Sequence, residues 1–80
     1  MNITVYTKPD CVQCDATKRW LDREHVPYKT VDVTQDAEAM QKVLDMGYSS
    51  APVVVTDREH WSGFRISRIQ DLVAEFKSKG

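Results

Sequence analysis

Ile3-Thr4-Val5-Tyr6-Thr7 alternates and is rich in β-branched and aromatic residues, which predicts a strand stopped by Lys8-Pro9-Asp10. A helix should follow. Asp10 is a good N-cap, and Gln13 three residues on completes the capping-box spacing D-x-x-Q, with Cys11 at the first helical position. Cys14, Lys18 (or Thr17) and Leu21 then share one face. The helix fades near His25, and Pro27 forbids its continuation. Tyr28 to Val33 reads as a second strand. Thr34-Gln35-Asp36 suits a cap, and Met40, Val43 and Leu44 follow at helical spacing up to a stop at Gly47. Pro52 to Thr56 is Val-rich enough for a central strand. Asp57-Arg58-Glu59 is a turn and His60-Trp61-Ser62 a short return strand. Ser67-x-x-Gln70 repeats the capping-box spacing, with Ile69, Leu72, Val73 and Phe76 on one face of a helix that ends over Lys77 to Gly80.

The order is β-α-β-α-β-β-α, an α/β fold with a mixed four-stranded sheet and three helices. The first β-α-β should be parallel and right-handed, and the last two strands close enough for an antiparallel hairpin. At 80 residues, without repeats or linkers, the chain is expected to be a single domain, 1–80. A formal charge of −1 with interleaved signs offers no basic field for nucleic acid. The longest apolar run, Ala51 to Val55, is far short of the roughly 18 residues that span a bilayer, so no membrane role is expected. The strand-like pattern begins by Ile3 and leaves no room for a leader, which points to the cytoplasm.

Two cysteines remain, Cys11 and Cys14, spaced C-x-x-C within "KPDCVQCDATKRW". Three readings compete: half of a zinc or cluster site, a structural clip, or an electron-carrying pair. A permanent clip is disfavoured in a reducing compartment, where thiols are kept reduced. Zinc needs two more ligands. His25 and His60 are far apart in the chain and suit a helix end and a hairpin edge, so no metal is assigned. For redox chemistry the position is apt. The nucleophile in disulfide exchange is a thiolate, and the first turn of a helix presents free N–H groups and the positive end of its dipole. Cys11 stands there, with Lys8 adding positive charge upstream. Cys14, one turn on and on the inner side, is placed to displace a partner from a mixed disulfide on Cys11. No bound cofactor is needed beyond a redox-active Cys11–Cys14 disulfide.

A C-x-x-C after the first strand and a proline opening the third resemble the thioredoxin/glutaredoxin-like fold. More narrowly, C-V-Q-C (Cys11 to Cys14), A-P-V-V (Ala51 to Val54) and W-S-G-F-R (Trp61 to Arg65) resemble the NrdH redoxins across essentially the whole chain. These are glutaredoxin-like proteins that supply electrons to class Ib ribonucleotide reductase. The resemblance implies a small dithiol carrier, a monomer, with the ribonucleotide reductase large subunit and thioredoxin reductase as partners and NADPH as the ultimate source of electrons. It implies Cys11 as nucleophile, Cys14 as resolving thiol and Pro52 as the family's cis-proline, turning the Ala51 backbone outward for a partner segment. Ile66 stands where the family generally has proline after W-S-G-F-R. A glutathione-dependent glutaredoxin is the alternative. Such proteins carry a Gly-Gly turn and a small or acidic residue after the cis-proline, where this chain has Ser62-Gly63-Phe64-Arg65.

Val12 and Gln13, between the cysteines, are expected to tune potential and partner fit. Trp61 suits either a docking surface or packing over the hairpin. Phe64 is expected to be exposed beside Gly63, and Arg65 to tie its loop to the first helix. Trp20 and Tyr6 are expected to pack, and Asp15 to stabilise the first helical turn.

Overall fold

The structure, a computed structural model, describes residues 2–79. Gly80, at the expected end of the last helix, lies outside the described residues. The elements are β1 (Thr4–Thr7), α1 (Val12–Arg23), β2 (Lys29–Asp32), α2 (Ala37–Asp45), β3 (Val53–Val55), β4 (His60–Ser62) and α3 (Ile66–Lys79), in the expected order. The sheet runs β2-β1-β3-β4. β1 and β2 are parallel, with Val5 opposite Thr30, because α1 carries the chain back between them. β3 joins β1 antiparallel, with Val5 opposite Val54, and β4 follows antiparallel with Val54 opposite Trp61. The Val-rich β3 therefore lies inside the sheet.

The two-residue period of the strands sorts their side chains between two cores. Val5 and Val54 join Ile3, Leu21 and Val26 from the first β-α unit with Ile69, Leu72 and Val73 of α3. Tyr6 and Val53 face the other way, towards Val33 and the α2 residues Ala39 and Val43. Trp61 is 3% exposed and belongs to the first core. This corrects the docking role considered for it: the register that sets Trp61 opposite Val54 turns both side chains inward. Trp20 packs partly buried against the same core, under the Arg23 guanidinium at 4.3 Å from its ring centroid. On α2 the apolar stripe only half closes, and Met40 and Leu44 remain 37% and 49% exposed.

Helix ends show which local signals prevailed. α1 stops as expected near His25, which takes the left-handed φ of +58°. His25 N–H then bonds Asp22 O at 3.1 Å, and Val26 N–H bonds Leu21 O at 2.9 Å. This is a Schellman stop, with buried Val26 as its apolar anchor. α2 is capped by Asp36, whose carboxylate accepts from Ala39 N–H at 3.0 Å, and stops at Gly47 with φ +92°. α3 departs from expectation. It already includes Ile66, and Ile69 N–H bonds Arg65 O at 3.0 Å, so Ser67 lies inside the first turn. A cap needs an extended backbone before the helix, so the Ser67-x-x-Gln70 spacing forms no capping box. Ile66, in place of the family's proline, still opens the helix.

Side-chain ties between elements fasten the fold. Lys77 donates to Glu24 at 2.7 Å, joining α3 to the end of α1, and this hydrogen bond and charge hold the Glu24 carboxyl below its usual pKa. Tyr48, after α2, places its hydroxyl 2.6 Å from His60 Nδ1 and 3.2 Å from the His60 carbonyl on β4. The His60 tautomer protonated on Nδ1 satisfies both contacts.

Candidate active site

Cys11 and Cys14 form a disulfide across the first turn of α1, with Cα atoms 5.2 Å apart. The expected cap was Asp10; the structure corrects it. Asp10 adopts a left-handed φ of +56°, while Cys11 has the extended backbone of an N-cap (φ −113°, ψ 103°). Its own sulfur accepts from Cys14 N–H at 3.1 Å, and its carbonyl accepts from Asp15 N–H at 3.1 Å. The Cys11 sulfur is thus the capping group itself, aimed at by a helix-terminal N–H that stabilises negative charge. Cys11 is 7% exposed and Cys14 is 1%. Val12 stands 82% exposed beside them, and Asp15 is paired with Lys18 at 3.5 Å.

Two further loops meet the cysteine turn. The Ala51–Pro52 peptide bond is cis, as the resemblance implied. Pro52 O accepts from Gly63 N–H at 2.8 Å, and Ser62 Oγ donates to Ser50 O at 3.2 Å. Gln13 Oε1 accepts from Phe64 N–H at 3.2 Å. Gly63 has φ +88°, a conformation that glycine adopts without strain and that lets the loop fold back towards Gln13. Phe64 is half-buried against the first core, not free in solvent as expected, because this fold-back turns its ring towards that core. Arg65 is exposed and does not reach α1: its Nε donates to Ser62 O at 3.1 Å, within its own loop. The tie to α1 comes from Gln13 instead.

Cys11, Gln13, Pro52, Ser62, Gly63 and Phe64 are therefore linked at one corner, while Trp61 lies in the core. Lys8 is exposed on the α2 side, where it lines a groove of about 180 Å³ with Tyr6, Met40, Leu44, Tyr48 and Ala51. A separate surface depression between α1 and β2, bordered by Lys18, Asp22 and Tyr28, contains neither cysteine. Sequence reasoning passed over Ser50, whose only signal was adjacency to Ala51-Pro52, and Tyr48, which had none. Thr17 is fully buried and donates from Oγ1 to Gln13 O at 2.9 Å, fixing the turn from below. Among the described residues, no group of three or more His, Cys, Asp or Glu side chains comes together in a way that could hold a metal ion. No helix among them is long and apolar enough to cross a membrane.

The glutaredoxin family model matches residues 3–61. The glutaredoxin-like protein NrdH of Lactococcus lactis subsp. cremoris is 36% identical over 70 residues, covering 88% of this chain and 97% of that protein. Its Escherichia coli K12 counterpart is 39% identical over 72 residues, covering 90% and 89%. The chain belongs to the glutaredoxin-like NrdH proteins. The solved structure of NrdH-redoxin from Escherichia coli, a protein described as having a thioredoxin-like activity profile, superposes with a TM-score of 0.87. The two are 39% identical, and the match covers 90% of this chain and 95% of that one. Within that family the Cys11–Cys14 pair makes the chain a thiol–disulfide oxidoreductase.

Proposed function

We propose that the protein carries electrons from thioredoxin reductase, and so from NADPH, to a disulfide on the large subunit of a class Ib ribonucleotide reductase. The observation that carries this reading is the likeness to NrdH proteins at 36–39% identity over most of the chain. Two features of the site support it. The 62–65 loop carries a half-buried ring and an exposed guanidinium where glutathione-using relatives have small groups. The exposed Val12 beside the pair suits contact with a protein surface.

In this cycle the Cys11 thiolate attacks one sulfur of the target disulfide, forming a mixed disulfide and releasing one target thiolate. The Cys14 thiolate then attacks Cys11 Sγ, expelling the second target thiolate and closing the Cys11–Cys14 disulfide. Two electrons pass to the target. Thioredoxin reductase restores the dithiol. The helix-terminal N–H groups favour the thiolate at Cys11, and the short spacing makes the second attack intramolecular.

NADPH consumption with thioredoxin reductase, compared with glutathione plus glutathione reductase, tests the donor. Turnover is expected with thioredoxin reductase, and efficient turnover with glutathione alone would assign the chain to the glutathione-dependent alternative. For the roles of the thiols, Cys14→Ser is expected to trap a mixed disulfide through Cys11. Trapping only in Cys11→Ser, through Cys14, would reverse them.

A further inference from the structure

One side chain joins the two motifs that flank the disulfide. Gln13, between the cysteines, accepts from Phe64 N–H at 3.2 Å across 51 residues of sequence. The bond itself is exposed, but the backbone on each side of it is held. On the Gln13 side, fully buried Thr17 donates to its backbone carbonyl at 2.9 Å. On the Phe64 side, Gly63 N–H is bonded to Pro52 O at 2.8 Å, and the Phe64 ring packs on the core. A hydrogen bond between segments whose backbones are already anchored restricts motion more than one between free chains, because less further order has to be imposed to form it.

We propose that Gln13 is a positioning residue. Its amide oxygen ties the cysteine turn to the 62–65 loop, holds the two Cα atoms at the closing separation of 5.2 Å, and so raises the effective concentration of the Cys14 thiol at the Cys11 sulfur. The proposal rests on dithiol–disulfide exchange alone and is independent of which partners the protein serves.

The test uses glutathione disulfide as a chemical probe. Cys11 attacks it, releasing one glutathione thiol and leaving Cys11 joined to the other. Cys14 then displaces the second glutathione and closes the ring. One disulfide is reduced, one is formed, and the two cysteine protons end on two glutathione thiols. The oxidation equilibrium and the rate of the ring-closing step are measured for the full chain and for two variants of similar side-chain length. Gln13→Met removes the acceptor, and both quantities are expected to fall about fivefold, the effect of one ordinary hydrogen bond. Gln13→Glu keeps an acceptor oxygen and is expected not to lower the equilibrium constant. Thermal unfolding of the reduced proteins is followed in parallel. A Gln13→Met variant that loses thermal stability with its equilibrium and closing rate unchanged overturns the proposal, as does an equal fall in both variants or no change in either.

Discussion

On one face of the sheet, Val5 and Val54 meet side chains from two helices and from β4. On the other, Tyr6 and Val53 meet Val33 and the single helix α2, with Val31, Tyr48 and Val55 packed partly buried around them. Among the described residues the first core gathers nine buried side chains and the second five, so the two faces differ in how completely they exclude water. The leucines show it most directly. Leu21 of α1 is fully buried, whereas Leu44 of α2 is 49% exposed and lines the groove next to Ala51. The redox pair belongs to the well-packed side, because Cys14 is the first buried residue of the α1 stripe that continues through Thr17 to Leu21. A rigid helix start is what a capping sulfur needs, while the α2 side is left with apolar surface.

Truncating the two leucines gives the largest expected contrast. Leu21→Ala should lower unfolding stability by roughly 2–5 kcal/mol, through lost burial and the cavity left behind. Leu44→Ala should lower it by about 1 kcal/mol or less, since half its surface is already in water. Equal losses in denaturant titrations would show that the two faces are equally closed. Next in size, Asp36→Ala removes the cap of α2 and should cost about 1 kcal/mol. Hydrogen exchange should report that loss as local fraying of α2, with α1 and α3 amides protected as before.

The smallest effect is a pH dependence confined to the α1 side. Tyr28 donates to Asp22 at 2.8 Å, and its pKa is pushed up to about 12, first by burial and then by the Asp22 carboxylate. Unfolded, the phenol releases its proton near 10, so the folded state holds that proton more tightly. This contribution is fully present below pH 10 and is lost as the pH rises towards 12. Tyr28→Phe should therefore show a shallower alkaline fall in denaturation midpoint than the unmodified chain, and an unchanged slope would remove Tyr28 from the account.

Element order and the strand and helix faces were legible in the residues because each rests on short-range periodicity. Ile69, Leu72 and Val73 needed only a 3.6-residue repeat to be recognised as a buried face. Asp36 and Gly47 likewise announced the ends of α2, since a cap and a left-handed stop are properties of one turn. Asp10 failed by the same local rule. It is as good a capping residue as Asp36, but its backbone is left-handed and the sulfur of Cys11 takes the cap in its place. The Ser67 spacing failed because the 63–65 fold-back brings the chain into helix before Ser67 is reached.

By itself the sequence determined a β-α-β-α-β-β-α chain with a cysteine at a helix start and a second one turn later, because alternation, helical spacing and turn residues act over a few positions. Tertiary structure alone decided that Trp61 is core, that Phe64 lies against that core, and that Gln13 serves as the bridge from the cysteines to the 62–65 loop. Those outcomes depend on strand register and on the meeting of a side-chain amide with a backbone N–H 51 residues away. No local pattern encodes such a meeting, since the N–H of Phe64 is common to almost every residue and acquires a role only when the fold brings an acceptor to it.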